Sequence, residues 1–146
     1  MFLWLWTSAF ALEQTVPLSV MAAHAERVVV AEVTSAEARW EEGPRGDLET
    51  VVWLATEQVV QGEAPDTLEV LVEGGEIGGH RTWVSNQPVL EPDHRYLLVL
   101  VRDDAGRTRV IGQKGAIELQ SERAPKAPKL AEVLAALTSE DATDVD

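Results

Sequence analysis

Apolar positions in this chain fall into short blocks, some alternating with polar residues and some unbroken, and helical spacing is confined to the two ends. In "RVVVAEVTSAEARW", Val28, Val29, Val30 and Val33 are β-branched and stiff about χ1, which favours an extended backbone. Gly and Pro in "EEGPRGD" mark a turn. "LETVVWLATEQVVQG" then returns as a second long strand, apolar on both faces in its middle, and the two strands form a predicted hairpin. "DTLEVLVE" alternates cleanly: Leu68, Val70 and Val72 lie on one face, Thr67, Glu69, Leu71 and Glu73 on the other, as in a half-exposed strand. "RYLLVLVR" is apolar from Tyr96 to Val101 and reads as a central strand covered on both sides. "DDAG" turns it into "RTRVIG", and "GAIEL" adds a last short strand.

At the N-terminal end, "VPLSVMAAHAE" sets Leu18, Met21, Ala22 and Ala25 at helical spacing, with Ser19 as candidate N-cap. Beyond the hinge "APKAPK", Leu130, Val133, Leu134 and Leu137 recur at i, i+3, i+4 and i+7, the stripe of an amphipathic helix. Its expected place is over an open end of the sheet. The fold class that follows is mainly β: a small antiparallel OB-like barrel of five to seven strands, with a short N-terminal helix and a C-terminal amphipathic helix. No long helix separates parallel strands, which disfavours a doubly wound α/β fold. The length of 146 residues suits one domain. Its divisions are a signal peptide over 1–11, the β-domain over 12–122, a hinge and helix over 123–138, and a disordered acidic tail over 139–146.

Charge narrows the functional classes. With 25 acidic against 12 basic residues the formal net charge is −13, a field that repels nucleic-acid phosphates and anionic lipid surfaces. The basic residues are dispersed, and the densest group, Arg102, Arg107, Arg109 and Lys114, is interleaved with Asp103 and Asp104; no nucleic-acid partner is expected. Cysteine is absent, which removes thiol nucleophiles, thiolate-bound zinc and disulfides.

The opening "MFLWLWTSAFA" is apolar and ends in Ala9-Phe10-Ala11, small residues two apart as a signal peptidase accepts. It is too short to span a bilayer as a helix. An exported protein, periplasmic or extracellular and cleaved after Ala11, is the expectation, with no membrane insertion afterwards.

Candidate chemistry centres on "VEGGEIGGHRTW", where two glycine pairs flank Glu76 and Ile77. A phosphate cradle needs amides converging at a helix N-terminus, usually with Lys and Ser or Thr. Here His80, Arg81, Thr82, Trp83 and Val84 resume a strand-like pattern, and Glu73 and Glu76 repel phosphate. Gly74, Gly75, Gly78 and Gly79 therefore read as a corner with positive φ and close chain approach. His24, His80 and His94 share no metal-ligand spacing, and no nucleophile motif is present, so no metal, cofactor or catalytic residue is assigned. The enzymatic alternative is a hydrolase-like or metal site joining His80 or His94 to Glu76 or Asp93. Trp53 reads as core. Trp83 reads first as core, since Trp is mostly buried, and second as an exposed anchor beside the glycine loop.

The run "HAERVVVAEV", "LETVVWLATEQVVQG", "DTLEVLVEGGEIGG", "QPVLEPDHRYLLVLV" and "VIGQKGAIEL" resembles a pattern in poorly characterised exported bacterial β-domains. More loosely, it is similar to the OB-like barrel of netrin-type and tissue-inhibitor-of-metalloproteinase domains. Gln61 stands where the pattern has Lys, and Asp93-His94 where it has Gly. Cleavage after Ala11 would leave Leu12 first, not the zinc-chelating cysteine of those inhibitors. The resemblance thus implies a barrel and an exported setting, with no inhibitory mechanism. The expectation is a non-enzymatic binding module whose ligand is a protein, peptide or glycan, the partner being most simply a protein or peptide of the cell envelope. Glu76, Ile77, His80, Arg81 and Trp83 form its partner-binding surface. A structural envelope protein is the third reading.

Overall fold

The computed structural model describes residues 17–41 and 47–144; the predicted signal peptide and the tip of the first turn lie outside them. Its six-stranded sheet is antiparallel, formed by β1 (Arg27–Trp40), β2 (Leu48–Gln61), β3 (Thr67–Glu73), β6 (Arg95–Arg102), β7 (Thr108–Val110) and β8 (Ala116–Glu118). A separate two-stranded flap consists of β4 (Gly75–Ile77) and β5 (His80–Thr82). The strand order is β3-β2-β1-β6-β7, with β8 also on β6. β6 is central: β1 runs along one edge, while β7 pairs with Leu100–Arg102 and β8 with Tyr96–Leu98 on the other.

Bulges bend this sheet. The β1–β2 ladder shifts register between Val28 and Val29, Val30 and Ala31, and Val33 and Ser35. Each extra residue sharpens the local twist, and the two ends of the strand order, β3 and β7, come into contact. Arg109 Nη1 of β7 lies 3.9 Å from Glu73 Oε1 of β3. Among the described residues no ladder joins these two strands, so the sheet is curled with an unzipped seam.

Alternation divides the core in two. Val29, Ala31, Val33, Val52, Leu54, Val70, Leu98 and Leu100 fill the inner face, and Val28, Val30, Leu97 and Val99 point the other way. All eight of the β1 and β6 side chains Val28–Val30, Ala31 and Leu97–Leu100 are essentially inaccessible, each valine or leucine contributing about 1.5–3 kcal/mol. The outer layer is made by the helices α1 (Leu18–Ala23) and α2 (Leu130–Asp144). Leu18, Met21, Ala22 and Val133 are buried against Leu97 and Val99, with Leu130, Leu134 and Leu137 packed alongside.

Four expectations are corrected here. α2 does not cap an open end; it covers the outer face of β1 and β6 together with α1, because those strands are apolar on both sides. It also continues to Asp144, through residues read as a disordered tail; Thr138 to Asp144 contain neither Gly nor Pro to end it. Ser19 is not the N-cap of α1. Pro17, at φ −58°, takes that position and Ser19 is buried within the helix. Trp53, opposite the inner face of β2, is half-buried.

Candidate functional site

The two glycine pairs of the flap answer to different constraints. Ile77 pairs with His80 across Gly78 and Gly79, which have φ of 51° and 84°. That is the two-residue hairpin turn whose central positions both need positive φ, and a Cβ at either would meet nothing within 4 Å. Gly74 and Gly75 sit at the flap's base, where a Cβ would lie 2.8 Å from the Thr82 carbonyl and 2.7 Å from Thr50 Oγ1 respectively. The first pair lets the flap fold down onto Ala38 and Thr50; the second only turns the chain. No helix follows, which agrees with a corner and not with a phosphate cradle.

Beyond β5 the chain continues through "WVSNQPVL" to the inner core. Asn86, at φ 63°, accepts a hydrogen bond from the Gln113 amide through Oδ1 at 3.2 Å, and Gln87 Oε1 accepts one from the Glu73 amide at 3.2 Å. Pro88 and Leu90 are buried. The loop is thus pinned at its middle and at its C-terminal end.

Between this loop, the flap and the end of β3 lies a cleft of about 250 Å³. Val52, Val72 and Leu90 form an apolar floor; Glu73, Glu76, Arg81, Gln87, Trp83 and Val89 line its rim. Trp83 is 78 % exposed and Val89 79 %, the two most exposed large apolar side chains among the described residues. The core reading of Trp83 is therefore corrected: the loop leaves β5 at the surface and nothing packs over the indole.

Charges surround the cleft unequally. Glu76 and Arg81 are cross-strand neighbours on the flap, both exposed, and among the described residues neither has an ion-pair partner within 4.0 Å. Asp103 Oδ2 accepts from Arg109 Nε at 2.7 Å and Oδ1 from the Arg107 and Ala105 amides at 2.9 Å. The Arg109 bond chiefly holds this carboxyl far below its usual range. Arg109 also approaches Glu73, and Arg107 Nη1 lies 3.7 Å from Glu49 Oε2. Glu49, only 4 % exposed, accepts from Arg39 Nε at 2.8 Å. These links tie the β1–β2 arm and β3 to the β6–β7 turn, and so fix the wall behind the cleft.

Of the residues expected at a partner surface, Glu76, Arg81 and Trp83 line the cleft. Ile77 and His80 do not: they flank the flap's tip, and the His80 ring packs on Trp40 with centroids 4.8 Å apart. Of the histidines in the enzymatic reading, His94 lies beside two carboxylates, with Nδ1 2.6 Å from Glu118 Oε2 and Nε2 3.4 Å from Glu91 Oε2. Asp93 pairs loosely with Arg123 at 3.7 Å. Among the described residues no group of three His, Asp or Glu side chains is placed to hold a metal. No helix there is long and apolar enough to cross a membrane.

Sequence reading missed Val89, the apolar floor and buried Glu49. The Glu49 signal was weak but present, since it opens a strand directly opposite Arg39. Comparison with protein-family models, curated proteins and solved structures finds no match to this chain.

Proposed function

We propose that this chain is an exported, non-enzymatic binding module, built on an OB-like barrel, that takes its ligand in the cleft beside the flap. The observation that carries this is the exposed pair Trp83 and Val89 at the mouth of a cleft floored by core side chains. Large apolar groups left in water beside a concave site mark an interaction surface, and a Trp provides wide contact at small entropy cost. Arg81 and Glu76, free of ion partners among the described residues, supply directional polar contacts at the rim. The contact of β3 with β7 supports the barrel reading, and Ala9-Phe10-Ala11 behind an apolar run supports export.

The test is selection on the full chain with a displayed random peptide library and a glycan array, run in parallel with Trp83→Ala. The reading requires ligands captured by the wild type and lost, by tenfold or more in affinity, in the variant. Ligand sets that are empty, or that are identical for the two proteins, overturn it.

A further inference from the structure

Beside the cleft, β5 is an edge strand. In the flap Gly75 pairs with Thr82, Glu76 with Arg81 and Ile77 with His80. In a hairpin closed by two residues the pairs alternate between exchanging both backbone bonds and exchanging none. Ile77 and His80, next to the turn, exchange them, so Arg81 is in the other class. Its N–H and C=O point away from β4, toward the side that no strand covers. Among the described residues neither group has a backbone partner outside the flap. His80, Arg81 and Trp83 are all exposed along this edge.

Resting on the proposed cleft, we propose that its occupant is an extended peptide segment that adds to β5 as a further strand. Its backbone pairs with Arg81 and a side chain sits between Trp83 and Val89 over Val52, Val72 and Leu90. An open strand edge is a template for another chain, and strand addition joins such backbone pairing to pockets for alternate side chains. A glycan would use the indole face and the rim side chains but leave the Arg81 amide without a role. Charge complementarity sets the peptide's character. The chain carries a net charge of −13, and Glu73 and Glu76 line the cleft that takes the anchor, so Lys or Arg flanking the apolar anchor is favoured and a second copy of this chain is repelled.

The experiment uses the full chain and a fluorescent heptapeptide, Lys-Val-Lys-Leu-Lys-Val-Lys, with a scan of single backbone N-methyl groups along it. The same peptide is titrated against Arg81→Pro and Arg81→Ala. Proline is tolerated on an edge strand where the N–H faces solvent, so relative to Arg81→Ala the first variant lacks the outward donor, and melting curves check that both variants fold. The proposal expects N-methylation to weaken binding about tenfold at alternate positions only. It also expects Arg81→Pro to bind at least about tenfold more weakly than Arg81→Ala. Tolerance of every N-methyl group, equal affinity of the two variants, or no peptide binding at all would overturn strand addition. Trp83-dependent glycan binding in the array would leave the cleft reading standing while this inference fails.

Discussion

Gly75 and Gly78 belong to one flap, and replacing them should have very different costs. A methyl at Gly75 meets Thr50 Oγ1 at 2.7 Å and the Ala38 Cβ at 3.0 Å, so Gly75→Ala should lift the flap or cost about 2–3 kcal/mol, as overpacking does. Gly78→Asn creates the Asn-Gly pair that such turns prefer and projects into open space. Its unfolding free energy should stay within about 0.5 kcal/mol of the wild type in urea denaturation. Replacing Glu49 by Ala removes its bond from Arg39 and loosens Arg107; because both guanidinium groups reach water, the loss should be about 1–2 kcal/mol. Asp103 gives the pH signature. Its folded pKa lies below the unfolded value through Arg109, so its contribution is present above about pH 4 and lost as pH falls toward the folded value. Asp103→Asn should therefore flatten the acid limb of a stability–pH profile and leave the alkaline limb unchanged. At this scale the flap glycines could be read because backbone conformation is a local property. Trp83 could not. Whether an indole is buried depends on what distant segment reaches it, and here none does.

Among the elements, β1, β2, β3 and β6 were legible because β-branched runs and strict alternation leave few other ways to bury their side chains. The bulges of the β1–β2 ladder were not, since nothing in "RVVVAEVTS" or "LATEQVVQ" marks where it slips. The position of α2 was misread for a related reason. An amphipathic stripe says that a face is covered, not what covers it. Continuous apolar β1 and β6 need a second layer, and α1 with α2 supply it. Val133→Ala should accordingly cost about 1–3 kcal/mol, and a chain ending at Lys129 should lose its cooperative thermal transition, since it exposes Val30, Leu97, Val99 and Leu119 at once. A truncated chain that melts as sharply as the full one would show that α2 is an appendage.

For the whole molecule, curvature is what makes a site. Bulges and the β3–β7 approach turn the inner core toward an open end, and the flap and the 83–90 loop rim that end without sealing it. The mainly β class followed from pattern, whereas the cleft forms where the continuous stretch 72–90 folds over Thr50 and Val52 of β2, a meeting that no local signal encodes. The proposed export makes its own demand: protein recovered from the cell envelope should begin at Leu12 when its terminus is sequenced. The account as a whole stands or falls on the thermal unfolding of Trp83→Ala. An indole that is a surface anchor can be removed with a midpoint change of no more than about 2 °C. A fall of about 10 °C or more, the cost of emptying a packed core site in a domain this size, would mean that Trp83 holds the fold together and that the cleft's exposed rim does not exist.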